Sequence, residues 1–148
     1  MKRFVHLLTL AVLLPLIAPA ASLEDVHGKA HDLKTATADG SHVVLVFWQS
    51  WCSPCKKEAP VLATAAREHP DLKFFGVISG PDKAVDEAKV QNFIEKYKLP
   101  YPQLRDRDLA LTKNYGVEGT PTILVLDEKL NVLYSGHRAP KDWAPFVN

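Results

Sequence analysis

Short, nearly continuous apolar runs alternate along the chain with longer stretches in which apolar residues recur at helical spacing. Val43-Val44-Leu45-Val46-Phe47 and Phe74-Phe75-Gly76-Val77-Ile78 are β-branched or aromatic almost throughout, the pattern of strands buried on both faces of a sheet. Between them, from about Ser53 to Arg67, the pattern is helical. Pro54 suits the first turn, whereas Pro60 falls inside and predicts a kink. Val90, Phe93, Ile94 and Tyr97 mark an amphipathic helix over Lys83 to Lys98, ended by Pro100 and Pro102. A short helix is expected from Asp108 to Tyr115, with Gly116 as its stop. Thr122 to Leu126 and Asn131 to Tyr134 flank the polar turn Asp127-Glu128-Lys129, a hairpin signal. Leu23 to Val26 and Ala30 to Leu33 read as two further short strands, and Pro140 to Val147 as a last helical segment.

Strand, helix and strand in succession imply a parallel βαβ unit, to which the hairpin adds antiparallel strands. The expected architecture is an α/β fold, a central mixed sheet with helices on both faces. In such sheets active groups sit at the carboxyl end of a central strand, where a helix begins. Cys52 occupies that place.

The first twenty residues stand apart from this pattern. Lys2 and Arg3 precede the apolar run Phe4 to Ala18, and Ala18-Pro19-Ala20 supplies small residues at the spacing a signal peptidase reads. Residues 1–20 are therefore expected to be a secretory leader and residues 21–148 a single domain, with no repeat or linker dividing it. An uncleaved membrane anchor is the alternative, although the run is short for a span and Pro15 and Pro19 interrupt it. Removing the leader leaves 16 basic against 17 acidic side chains. So balanced a chain carries no field suited to nucleic acid.

Two cysteines are too few for a disulfide-stapled scaffold or a four-thiolate zinc site. They lie three positions apart, at Cys52 and Cys55, and so small a loop restrains an unfolded chain little. Chemistry explains the pair better than stapling, with half of a metal site or an idle bond as the competing accounts. Backbone N–H groups left unpaired in the first turn of a helix, together with its macrodipole, stabilise a thiolate on Cys52. That thiolate can attack a partner's disulfide, and Cys55, one turn further on, can resolve the mixed disulfide. Glu58 follows Cys55 by three residues and shares its helix face, where a partly buried carboxyl group can take or return the Cys55 proton, a solvated glutamate with a lysine partner being the alternative. Trp51 is expected to shield the dithiol and offer partners an apolar surface. Lys56 and Lys57 read as a solvated helix face that adds some positive potential. His27, His31, His42, His69 and His137 are scattered, so no metal site is expected, and no cofactor beyond a redox-active Cys52–Cys55 disulfide.

The segment Phe47-Trp48-Gln49-Ser50-Trp51-Cys52-Ser53-Pro54-Cys55-Lys56-Lys57-Glu58-Ala59-Pro60 resembles the active-site segment of the TlpA/ResA-like branch of the thioredoxin superfamily. Tyr115-Gly116-Val117-Glu118-Gly119-Thr120-Pro121-Thr122 resembles that superfamily's second landmark. The resemblance implies a thioredoxin-like fold, with Cys52 as an exposed attacking thiol and Cys55 as a buried resolving thiol. It implies a cis Pro121, preceded by Thr120, that faces the dithiol and holds an extended substrate strand, and an acidic Glu58 near the disulfide. The activity implied is that of a periplasmic thiol–disulfide oxidoreductase reducing exported proteins, apocytochrome c or copper-site proteins among them. Its electrons would come from a DsbD- or CcdA-like membrane donor. Thr122 stands where reductases dedicated to cytochrome c often carry an acid. A DsbA-like oxidant would bring a domain-sized helical insertion, for which Ser79 to Asp108 is too small. A Sco-like copper-binding protein would bring Cys-x-x-x-Cys and a histidine ligand, and the spacing here is one residue short.

Overall fold

The computed structural model describes residues 22–147; the expected leader lies outside the described residues. A hairpin of β1 (Ser22–Glu24) and β2 (Ala30–Asp32) leads through the single turn α1 (Leu33–Ala36) into β3 (Val43–Phe47). Then come α2 (Ser53–Glu68), β4 (Lys73–Ser79), α3 (Glu87–Tyr97), β5 (Gln103–Asp106), α4 (Ala110–Asn114), β6 (Thr122–Leu126) and β7 (Val132–Gly136). Five strands form one sheet in the order β5-β4-β3-β6-β7, with β3, β4 and β5 mutually parallel and β6 and β7 antiparallel.

Central β3 is buried at every position. Its side chains alternate between two apolar layers, as a pleated strand requires. Val44 and Val46 pack with Leu62 of α2 and Phe93 of α3, whereas Val43, Leu45 and Phe47 pack with Leu33 of α1 and Leu111 of α4. Helices thus cover both faces, as expected. Fully burying each such side chain is favourable by about 1.5–3 kcal/mol, which makes β3 the anchor from which the chain enters the Cys52 loop.

The element bounds follow local chemistry. The Asp86 carboxylate caps α3 by accepting the Lys89 N–H at 3.1 Å. The helical reading of Lys83 to Lys98 is therefore corrected: Asp82–Ala84 is one 3-10 turn, and the α-helix begins only after that cap. Gly116 follows α4 at φ +62°, the left-handed stop expected there. Helix α2 runs on through Pro60 to Glu68, with the proline on its exposed side. The last helical segment is a second correction. Only Ala144–Phe146 makes a 3-10 turn, because Pro145 has no N–H to bond back to the Lys141 carbonyl and so interrupts a helix begun at Pro140. Trp143 pins this segment against Phe74, ring centroids 5.4 Å apart, and the His42 ring bonds the Phe146 carbonyl oxygen through Nδ1 at 2.8 Å.

Strand β5 was not anticipated, because its sequence Gln-Leu-Arg-Asp is mostly polar, yet all four residues are buried. The Arg105 side chain, 1% exposed, donates to the carbonyls of Ile78 and Gly80 and lies within ion-pair distance of Asp82 and Glu87. Asp106, 0% exposed, accepts the N–H groups of Leu111 and Thr112 and the Thr112 hydroxyl. Asp106 and the terminal nitrogens of Arg105 thus find partners that only the folded chain supplies, whereas Arg105 Nε, 3.2 Å from Glu87, makes no hydrogen bond among the described residues. The β1–β2 hairpin covers the outer side of β5, where the Val26 N–H donates to the Gln103 carbonyl at 2.9 Å.

Candidate active site

Past Phe47 the chain leaves the sheet and turns into α2. The Gln49 amide donates to the Ser79 carbonyl at 2.8 Å, and the Gln49 carbonyl accepts the Cys52 N–H at 3.1 Å, closing the turn. Cys52 is the N-cap of α2, with extended backbone at φ −72° and ψ 108°, and Pro54 lies in the first turn. The two sulfurs are bonded, S–S 2.08 Å, with Cα atoms 5.3 Å apart. The Cys55 N–H donates to Cys52 Sγ at 3.3 Å. The sulfur thus fills the position that a serine or aspartate oxygen takes in an ordinary cap, where an N–H group and the helix dipole favour negative charge.

Cys55 is buried as the resemblance implies, at 2% exposure, but Cys52 is not the exposed thiol expected, being only 3% exposed. Its sulfur is bonded to Cys55, and the residue belongs to the buried layer that also holds Trp48, Ala59 and Ile123. Trp51 is 73% exposed, so its ring is presented to solvent more than it is folded over the disulfide. The apolar surface expected at this position is present, while little shielding comes from it.

The Thr120–Pro121 peptide bond is cis. Pro121, Cys55, Glu58, Trp48 and Tyr101 line one cavity behind the disulfide, about 10 Å³ and close to the size of a single water. The structure thus brings Glu58 and Pro121 together beside Cys55. Burial pushes the Tyr101 hydroxyl well above its ordinary range, so this wall of the cavity stays neutral.

Two contacts here were not read from the sequence. One is a strap that leaves β7. His137 Nδ1 bonds the Pro121 carbonyl oxygen at 2.8 Å, and two residues later the Ala139 N–H donates to Glu58 Oε2 at 2.9 Å. Three residues thereby tie the cis-proline to the carboxylate. The other is the support of Trp48, whose indole N–H donates to Gln103 Oε1 at 2.8 Å while the ring stacks on Phe93 at 4.2 Å. Gly76 makes room for that amide. A glycine inside an otherwise bulky apolar strand was the sequence signal available for it. Neither His27 nor His31 joins a metal-binding group: His31 Nε2 lies 2.8 Å from Asp25 Oδ2, and the described residues contain no cluster of three or more potential ligands.

Comparison with known proteins agrees with this geometry. The family model described as Redoxin matches residues 17–144. The Bacillus subtilis thioredoxin-like protein YneN is 32% identical over 76% of this chain and 64% of its own length. The thiol-disulfide oxidoreductase ResA of Bacillus thuringiensis subsp. konkukian is 34% identical over 78% of this chain and 65% of its own length. The chain therefore spans just under two thirds of these relatives. Among solved structures, a secreted Mycobacterium tuberculosis disulfide oxidoreductase homologous to E. coli DsbE superposes with a TM-score of 0.68 at 26% identity, covering 82% of this chain and 85% of that one. StoA from Bacillus subtilis superposes with a TM-score of 0.64 at 28% identity, covering 80% and 90%. With its sheet, its cysteine pair and its cis-proline in this arrangement, the chain belongs to the Redoxin family and has a thioredoxin-like fold.

Proposed function

We propose that this chain is a periplasmic thiol–disulfide oxidoreductase that reduces disulfides in exported proteins. The observation that carries the reading is the bonded Cys52–Cys55 pair at the N-terminus of α2, beside a cis-proline and a carboxylate. The names of its relatives, thiol-disulfide oxidoreductase among them, support the reaction class.

In the reducing direction the Cys52 thiolate attacks one sulfur of a substrate disulfide. The substrate's other sulfur leaves as a thiolate and takes up a proton. Cys55 then loses its proton, with Glu58 as acceptor, and attacks Cys52 Sγ. The second substrate thiol departs, and the two electrons of the dithiol have passed to the substrate. The bonded pair seen here is the oxidised end of that cycle. A dithiol donor of the DsbD or CcdA class returns two electrons, and Trp51 and Thr120 flank the path of an extended substrate segment. Apocytochrome c and copper-site proteins are the substrates that best fit the family resemblance. The export this role requires comes from the leader, residues 1–20.

Trapping thiols with an alkylating reagent in intact cells tests the direction. The pair should be found mostly reduced, and a Cys55→Ser variant should accumulate mixed disulfides that a Cys52→Ser variant does not form. A mostly oxidised pair in cells with an intact donor would overturn the reductant reading in favour of a disulfide-forming oxidant.

A further inference from the structure

Beside the dithiol, between the first turn of α2 and one face of α3, lies a groove of about 260 Å³. Phe93 and Tyr97 form its apolar side, Ser50 of the Cys52 loop closes one end, and Lys56, Lys89 and Lys96 stand around it. No carboxylate lines it. Asp86 pairs with Lys89 at 3.3 Å, whereas neither Lys56 nor Lys96 has a carboxylate within ion-pair distance among the described residues. The Lys96 ammonium lies 5.5 Å from the centre of the Tyr97 ring. Glu58 is engaged by the Ala139 N–H and Glu87 by Arg105, while Glu95, exposed beside Lys96 on α3, is not part of the lining.

A chain with almost no net charge thus gathers three ammonium groups around one concavity at the edge of its reactive loop. Ser50 and Lys56, two residues before and four after Cys52, both line the groove, and the Lys56 N–H donates to the Cys52 carbonyl at 3.3 Å, so the groove adjoins the loop that carries the dithiol. Its floor is firm, because Phe93 is buried and stacked on Trp48. Clefts lined by charge of one sign concentrate oppositely charged ligands and raise association rates. We propose that this groove is a docking surface for an acidic segment flanking the target disulfide of an exported substrate protein. The inference rests on the oxidoreductase reading and adds to it a substrate preference, set chiefly by Lys89 and Lys96, which lie on α3 away from the sulfurs.

The test compares three disulfides with the full-length protein: a peptide with Asp and Glu beside the disulfide, the same peptide with Lys there, and a small uncharged aromatic disulfide. Wild-type protein should reduce the acidic peptide about tenfold faster than the basic one at an ionic strength of about 0.01 M, and the gap should close near 1 M salt. K89Q/K96Q should remove that preference and leave the small disulfide untouched. The reversed variant K89E/K96E should favour the basic peptide. Equal rates for the two peptides with wild-type protein, or a preference that survives K89E/K96E, would overturn the docking surface. Loss of all three reactions in K89Q/K96Q would also overturn it, by assigning the lysines to folding or to the dithiol itself. Failure of wild-type protein on the small disulfide refutes the oxidoreductase reading, a result distinct from loss of peptide preference.

Discussion

Replacing Gly76 by alanine probes the support beneath the disulfide. Gly76 sits in β4 opposite Gln103 of β5. A Cβ built there falls inside the contact distance of Gln103 Oε1, 2.6 Å from Gln103 Cδ and 2.9 Å from Trp48 Nε1. The amide must move, and with it goes the hydrogen bond that holds the Trp48 indole. Overpacking of this kind costs about 1–3 kcal/mol, and a buried donor left without its partner costs about 1–3 kcal/mol. Alanine recovers about 0.5–1 kcal/mol through its narrower unfolded ensemble. The net expectation is a loss of about 2–4 kcal/mol, which at about 4 °C per kcal/mol lowers Tm by roughly 10 °C. Denaturant unfolding measures the free energy, and near-UV circular dichroism reports the Trp48–Phe93 stack. Gln103→Ala removes the two nearest obstructing atoms at a cost of its own and leaves the Trp48 Nε1 contact, so G76A made on that background should cost at least about 1 kcal/mol less than in the wild type, a coupling visible in a double-mutant cycle. A loss below about 0.5 kcal/mol in the single variant, or the same loss on both backgrounds, would refute the reasoning.

Three further outcomes are expected. Asp106→Ala strips the caps from two N–H groups and one hydroxyl; denaturant unfolding should show a loss of about 2–4 kcal/mol, and a loss under 1 kcal/mol would count against the bonding described. His137→Ala frees one end of the strap, so the Ala139 amide should exchange its hydrogen at least tenfold faster, read by NMR, with a stability loss of about 1 kcal/mol; unchanged protection would mean that the Glu58 contact does not depend on His137. Burial opposes charge on Asp25, but the His31 ring and the N–H groups of His27 and Lys29 outweigh it and hold the carboxyl below its usual range. A depressed folded-state pKa contributes stability that is present above about pH 4 and lost as pH falls through the lowered value, so Asp25→Asn should be less stable at neutral pH and lose less on acidification to about pH 2; parallel stability curves for the two proteins would contradict this.

The elements that were legible share one property: their burial pattern is written in consecutive residues. The Val43 to Phe47 run needs no partner to be recognised as a strand, and the Asp127-Glu128-Lys129 turn marks its hairpin alone. Strand β5 fails that criterion. Gln103, Arg105 and Asp106 look like loop residues until the Trp48 indole, the β4 carbonyls and the start of α4 are placed around them. The same holds for Pro140 to Val147, where Trp143 and His42 fix a segment that Pro145 keeps from becoming a helix. At the site, the cysteine spacing and its place after β3 were readable, as was the neighbourhood of Glu58. That Cys52 is covered, and that Ala139 and His137 hold Glu58 and Pro121, were not.

By itself the sequence determined an α/β chain with one pair of thiols at the opening turn of a helix, because hydrophobic periodicity and a three-residue spacing are local facts. Tertiary structure decided which buried polar groups find partners, that Pro121 lines a cavity together with Cys55, and which lysines of two separate helices stand around one groove. These depend on residues tens of positions apart meeting in space. A hydrogen bond or a shared field between such residues leaves no periodic trace in the chain that makes it.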